Sequence, residues 1–204
     1  MKAIDPTTLS SKDNYKFLIG SIIPRPIAFV TTITEEGVVN AAPFSFFNIV
    51  SASPPLLAVS VQRAGGTQKD TARNAISQRE FVVHISAEHY VEAINETAAA
   101  LPPHESEVAR AGLTTVPSTV VSVPGIKEAS IRMECVLEQA LPLGESEDGE
   151  PACDLLIGKV VHYHITEELY KDGKIDPHAL KPVSRLAGND YAKLGEIFTI
   201  ERPS

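Results

Sequence analysis

The stretch TQKDTARN brings Lys69, Asp70, Thr71 and Arg73 together at the start of a helical pattern over 67–80. Free N–H groups and the helix dipole favour an anion at such a start, and the two cations add charge. Asp70 can cap the same turn, and a well-capped, solvated surface helix would use the same residues. Arg63 and the pair Gly65–Gly66 lie just upstream. Glycine lets backbone approach a ligand closely, although it also serves any surface turn. Thr31 and Thr32 end the run IAFVTTI just before a turn, where both hydroxyls can face a ligand. Ordinary β-propensity accounts for the pair equally well.

A second unusual stretch is NAAPFSFFNIVSASPP, residues 40–55. Phe44, Phe46 and Phe47 ask for a core, yet Ser45, Asn48, Ser51 and Ser53 place polar groups among them, and Pro43, Pro54 and Pro55 interrupt the backbone. Ser45, Ser51 and Ser60 lack the G-x-S-x-G context of a hydrolase nucleophile. Neither a Walker loop nor a G-x-G-x-x-G fingerprint is present, which disfavours the commonest nucleotide-binding motifs. His162 and His164 share a strand face and His84 lies on another strand. Without a cysteine or carboxylate at recognisable spacing they read as strand histidines and not as metal ligands. Cys135 reads as a small buried hydrophobe. The pair Glu35–Glu36 reads as a solvated turn.

These residues need elements to position them. SSKDNYKFLIG predicts a short helix, capped by Ser10 or Ser11 and ended by Gly20. Residues 27–43 predict a hairpin, and 54–62 and 81–86 predict further strands. SAEHYVEAINETAAAL predicts the clearest helix, with Ser86 as its cap and Tyr90, Val91 and Ile94 along one side. Residues 101–127 form a long Pro-, Ser- and Thr-rich excursion with a helical turn at 105–111. In SIRMECVLE, Ile131, Met133, Cys135 and Leu137 alternate with Arg132, Glu134, Val136 and Glu138, the pattern of a half-buried antiparallel strand. An acidic turn over 143–152 leads into the strand CDLLIGKVVHYHI. About seven strands without a βαβ rhythm predict a mainly β, closed antiparallel barrel with peripheral helices, in one domain over 1–204. In HALKPVSRLAGNDYAKLG, Arg185, Asn189 and Tyr191 sit in a loop whose apolar residues predict docking, on its own barrel or on a partner subunit.

The chain has 204 residues, 43% of them hydrophobic, and a net charge of −8 with a sequence pI near 5.2. That balance disfavours a nucleic-acid or anionic-membrane surface. Two cysteines are too few for a disulfide scaffold. No apolar run reaches the ~20 residues of a membrane span and no secretory signal is visible, so a cytoplasmic location is expected.

Taken in order, PRPIAFVTT, GVVNAAPFSFF, SPPLLAVSV, KDTARN, EFVVHIS and KPVSRLAGNDY resemble the flavin-reductase-like family, the FMN-binding split-barrel proteins that include flavoredoxins and reductase components of two-component monooxygenases. The resemblance runs from about residue 15 to 195. It implies a homodimer of antiparallel split barrels, each binding FMN near the subunit interface, with NAD(P)H as co-substrate. By the same resemblance Thr31 and Thr32 supply hydroxyls near the cofactor. Asn40 and the run Ala42, Pro43, Phe44, Ser45 and Phe46 wall the isoalloxazine. Ser60 and Arg63, with Lys69, Asp70 and Thr71, take the ribityl and phosphate side, and Arg185 matches the C-terminal arginine. Hydride transfer then belongs to the flavin, so no catalytic acid or base is expected. A flavin or monooxygenase partner would receive the electrons. The alternatives are a flavoredoxin-like carrier that ignores nicotinamides and a flavin-binding module without turnover.

Overall fold

The computed structural model describes residues 1–99, 101, 102, 104–145 and 149–203. The middle of the acidic turn expected over 143–152 lies outside the described residues. Helix α1 (Ser11–Ser21) starts as expected, with Ser10 Oγ accepting from Asp13 N–H at 3.1 Å. It runs past Gly20 to a cap at Ile22. Gly20 meets nothing within 4 Å of a modest added side chain, so no steric demand makes it the stop. The residue before Pro24 is disfavoured in the helical region, and the chain turns there instead.

Strand β1 (Arg25–Pro26) is short; β2 (Ala28–Ile33) and β3 (Val39–Phe44) form the hairpin read from 27–43. Its turn needs Gly37, whose φ of +86° lies in the left-handed region. A second hairpin joins β4 (Phe47–Ala52) to β5 (Pro55–Gln62). Helix α2 (Asp70–Gln78) leads to β6 (Glu80–Ile85), and α3 (Val91–Glu96) and α4 (Glu107–Arg110) follow. Within the excursion, β7 (Thr115–Val116) pairs with β8 (Gly125–Ile126). The long pair β9 (Ile131–Leu143) and β10 (Cys153–Ile165) completes an antiparallel seven-stranded sheet of order β3-β2-β6-β9-β10-β5-β4.

The first and last strands of that order, β3 and β4, are neighbours in the chain, separated only by Ser45 and Phe46. Ser60 N–H on β5 donates to Phe46 O at 2.8 Å. The sheet is therefore curled into a barrel with its seam between β3 and β4. Val30, Val59, Phe81, Cys135, Leu137 and Leu156 fill the interior, and α2 adds Ala72 and Ala75 to the same core. On the outer side of β2, Phe29 packs with Tyr90, Ile94, Val108 and Ile126 from α3, α4 and the excursion. Strand β2 is thus buried on both faces, which is why IAFVTTI shows no alternation of apolar and polar residues. Beyond the barrel, one 3-10 turn (Glu167–Leu169) leads to the ribbon β11 (Tyr170–Lys171) and β12 (Lys174–Ile175), helix α5 (Pro177–Leu180), and strands β13 (Val183–Arg185) and β14 (Tyr191–Lys193). Strand β13 pairs with both β1 and β14.

One glycine is dictated by packing. A Cβ on Gly158 would come within 2.3 Å of Phe81 Cζ and 3.2 Å of Cys135 Cβ. Gly158→Ala is expected to destabilise the fold by about 1–3 kcal/mol, as overpacking of a filled core does. Urea unfolding checks it, and a midpoint equal to that of the unaltered chain would contradict the packing.

Two expectations from sequence are corrected here. Ser86 does not cap the helix after it. Its carbonyl accepts from Val183 N–H at 3.1 Å and Ala87 bridges to Pro182, so the C-terminal segment takes this backbone and α3 starts only at Val91. The solvent side of β9 is also not uniformly exposed: Glu134 is fully buried.

That burial belongs to a set of contacts that fasten the excursion to the barrel. Glu134 accepts from Thr119, Val120 and Val121 N–H at 2.6, 2.7 and 3.0 Å, and His164 Nε2 lies 2.5 Å from it. Burial alone would raise its pKa, but these hydrogen bonds outweigh it and hold the carboxyl down to about 2. His84 Nδ1 faces Phe29 O at 2.8 Å while Nε2 accepts from Ile126 N–H at 2.9 Å, which defines a neutral ring. Burial pushes His84 down to about 4. Both pKa values lie below their unfolded ones, so the unfolded chain binds more protons across each interval. Stability is complete above pH 6.5, falls between 6.5 and about 4 as unfolded His84 gains its proton, and falls again between 4.5 and about 2 through Glu134. Thermal unfolding measured from pH 7 to 3 should show the upper step, and His84→Gln should remove it. A profile unchanged by that substitution would refute the assignment.

Candidate functional site

Helix α2 begins without a side-chain cap. Its N-cap residue is Lys69, extended at φ −72° and ψ 153°, and among the described residues no side chain accepts from the first-turn N–H groups. Those groups therefore remain available to a ligand. Lys69 is exposed, and among the described residues its ammonium has no hydrogen-bond or ion-pair partner. Arg73, the other cation of the stretch, pairs with Asp70 one turn away. It faces a separate, larger groove of about 560 Å³, which also carries Glu35, Glu36 and His104. Two carboxylates and a neutralised arginine make that groove a poorer anion site than the helix start.

The start of α2 opens onto a cleft of about 320 Å³. Asn40, Ala42, Pro43 and Phe44 of β3 form one wall, Ala64 and residues 67–71 a second, and Thr97, Ala98, Ala99, Leu101 and Glu107 a third. The second wall is shaped by Gly65 and Gly66, at φ +56° and +74°. Arg63 makes a bidentate pair with buried Asp154, Nε at 2.9 Å and Nη2 at 2.7 Å, while Nη1 reaches Gly66 O at 3.3 Å. Gln68 Nε2 reaches the same carboxylate at 3.0 Å. Arg63 thus spends its charge holding the loop that ends at Lys69.

The floor is a buried polar chain. Asn40 Nδ2 donates to both carboxylate oxygens of Glu107 at 3.1 Å, and Ala41 N–H donates to Oε2 at 3.2 Å. Thr71 and Thr32 hydroxyls donate to Asn40 Oδ1 at 2.9 and 3.3 Å, and Asn74 Nδ2 reaches Thr32 Oγ1 at 3.4 Å. Burial raises the Glu107 pKa against the bonds it accepts from Ala41 and Asn40, and the Asp70 charge adds to the rise.

Of the residues singled out from sequence, Asn40, Ala42, Pro43, Phe44, Lys69, Asp70 and Thr71 come together in this cleft. Thr32 lies behind Asn40. Thr31 is turned to the excursion, its hydroxyl on Pro124 O at 2.8 Å. Ser45, Phe46 and Ser60 sit at the barrel seam, and Ser45 Oγ accepts from Arg25 Nε at 3.4 Å. Phe44 belongs to the barrel core, whereas Phe47 lines an apolar groove of about 480 Å³ with Ile49, Leu56 and Tyr163. Arg185 lies over the Tyr191 ring at 4.6 Å and bonds Gly188 O; Tyr191 OH reaches Asn95 at 3.2 Å. The C-terminal loop thus docks on its own chain. The His162 and His164 rings lie 4.8 Å apart, tilted by 58°, and among the described residues no three His, Cys, Asp or Glu are grouped to hold a metal. Glu107 and Arg25 were not singled out. Glu107 lies on a four-residue helix too short for a periodic signal, and Arg25 is hidden between two prolines.

Fold and cleft together define an antiparallel split barrel with a candidate ligand site where an uncapped helix start meets an apolar β-wall. The chain belongs to the flavin reductase like domain family, whose family model matches residues 19–179. It is 57% identical over 202 residues to an uncharacterized protein of Halalkalibacterium halodurans, covering 98% of this chain and 96% of that one. Nitrilotriacetate monooxygenase component B of Bacillus cereus superposes with a TM-score of 0.95 at 64% identity, covering 98% of each chain. The 2-nitrobenzoate 2-nitroreductase of Pseudomonas fluorescens superposes with a TM-score of 0.88 at 29% identity, covering 99% of this chain and 96% of that one. No helix among the described residues is long and apolar enough to cross a membrane.

Proposed function

We propose that the chain is an FMN-dependent NAD(P)H oxidoreductase of the flavin-reductase class, acting as a cytoplasmic homodimer that passes electrons to free flavin or to a monooxygenase partner. The observation that carries this reading is the uncapped start of α2, with a Lys69 side chain that has no partner among the described residues, at the end of a cleft walled by Ala42, Pro43 and Phe44. The donor set fits FMN part by part. Lys69 and the first-turn N–H groups of α2 suit a dianionic phosphate. Asn40 and Thr71 suit a polyol chain, and the Ala42–Phe44 wall suits a flat, mostly apolar ring. FMN, when bound, supplies the chemistry of accepting a hydride from NAD(P)H and releasing electrons to an acceptor. The chain's part is to hold, orient and partly desolvate. Arg63 and Asp154 brace the phosphate loop, Thr32 and Glu107 brace Asn40, and Thr31 and Arg185 act from further out on the excursion and the C-terminal loop. Ser45, Phe46 and Ser60, at the seam, border the ring wall.

The similarity to component B of a two-component monooxygenase supports an oxygenase as the electron acceptor. The homodimer is supported by exposed apolar side chains on edge strand β4, where Ile49 is 72% and Val50 51% exposed, beside the apolar groove at Phe47. The test is anaerobic. Loaded with FMN, the protein should lose its ~450 nm absorbance on addition of NADH or NADPH, because the cofactor carries the redox step. Retention of the band with both nucleotides would overturn the reductase reading and leave a carrier reduced by a protein donor.

A further inference from the structure

The buried chain in the cleft floor has a direction, and one residue sets it. A carboxylate only accepts hydrogen bonds, so both oxygens of Glu107 turn Asn40 with its Nδ2 toward α4. The Ala41 N–H on Oε2 fastens the same orientation. Asn40 Oδ1 is then forced toward the two threonines, whose hydroxyl protons are spent on it. Thr32 takes a return bond from Asn74, but among the described residues nothing donates to Thr71, which lines the cleft and is left with lone pairs alone. We infer that Glu107 is a positioning residue that makes Thr71 an acceptor toward the ligand, so that the cleft floor recognises a ligand hydroxyl and not a phosphate oxygen.

The inference rests on the flavin reading above for the identity of the ligand, and it divides the labour of the cleft. Anionic oxygens go to the donors at the start of α2, and the polyol hydroxyls go to Thr71. It also places a member of the excursion, 67 residues away in sequence from Asn40, in charge of what the β3 wall can bind.

The experiment compares three flavins: FMN, riboflavin, which lacks the phosphate, and lumiflavin, which lacks the polyol chain as well. In the otherwise unaltered chain, Thr71→Val should weaken FMN and riboflavin by the same factor, about fivefold for one neutral hydrogen bond, and leave lumiflavin unchanged. In Glu107→Gln, the Ala41 N–H keeps the new amide oxygen on its side, so the new amide nitrogen faces Asn40. That nitrogen, in the place of Oε1, stands donor to donor with Asn40 Nδ2, and turning Asn40 over to relieve the contact presents Nδ2 to Thr71, whose proton is freed for the ligand. In that background Thr71→Val should cost FMN more than riboflavin, by about a further fivefold. The side-chain amide resonances of Asn40 in flavin-free protein should shift between the unaltered chain and Glu107→Gln. A larger loss for FMN than for riboflavin in the Thr71→Val single variant overturns the inference, and this arm stands even where Glu107→Gln does not fold. Unchanged loss ratios and unchanged Asn40 resonances in Glu107→Gln overturn it as well. Failure of the unaltered chain to bind any of the three flavins overturns the flavin reading instead, and the Asn40 resonances then decide the role of Glu107 alone.

Discussion

Lys69→Glu is expected to weaken FMN binding about a hundredfold and Lys69→Ala about tenfold, with riboflavin affected far less. The reason lies in what surrounds Lys69. It occupies the N-cap of a nine-residue helix whose first N–H groups have no side-chain acceptor, and among the described residues no carboxylate pairs with it. Its charge and the helix dipole therefore act on the same point, and reversing the charge opposes the dipole there. The side chain is exposed and outside the core, so the fold itself should change by less than about 0.5 kcal/mol. Fluorescence titration of both flavins against each variant separates the two effects. An FMN affinity unchanged in Lys69→Glu would remove the phosphate from the start of α2 and with it the main support for the proposed function. Arg63→Ala should also weaken FMN, but together with loss of order in the 63–69 loop, since its guanidinium is bound to Asp154.

Arg25→Leu is expected to destabilise the protein by about 3–5 kcal/mol, because several carbonyls lose their donor together, at about 1–3 kcal/mol for each buried group left unsatisfied. Arg25 is 6% exposed. Its Nη1 donates to Ile19 O and Ile22 O, both at 2.7 Å, and Nη2 donates to Leu186 O at 2.8 Å. The first two carbonyls belong to the end of α1, where intrahelical donors run out and the dipole favours a cation. Leucine fills the volume but leaves three carbonyls without this donor. Lysine keeps the charge, yet a single ammonium lacks the planar fork that serves three directions, so Arg25→Lys should recover less than half of the loss. Because Leu186 begins the C-terminal loop and Ser45 sits at the barrel seam, both regions should become susceptible to proteolysis before the barrel does. Urea unfolding with limited proteolysis tests this. A loss below about 1 kcal/mol would mean that water replaces the guanidinium.

The contrast between these two residues explains what was legible in advance. Lys69 stands in a local pattern, a run of helix-forming residues after a glycine pair, and a helix start can be read from neighbours in sequence. The strands were legible for the same reason. The alternation of Ile131, Met133, Cys135 and Leu137 matches their burial, and the unbroken run at 28–32 matches a strand covered on both faces. Where local pattern misled, a distant segment had intervened. The missing cap at Ser86 is explained by Val183 taking its carbonyl, and buried Glu134 by three N–H groups of the excursion folding over it.

The sequence by itself determined the barrel, the hairpin that presents Asn40 to Phe44, the helix start at Lys69 and the family to which these motifs belong. Each is set by periodicity, turn chemistry or motif order within short windows. Tertiary structure alone decided which of the marked residues share the cleft and which way their hydrogen bonds run. The partners that settle this lie 67 residues apart for Asn40 and Glu107, 91 for Arg63 and Asp154, and 161 for Arg25 and Leu186. Such pairs are joined by strand register and packing, and nothing in either local stretch records the other.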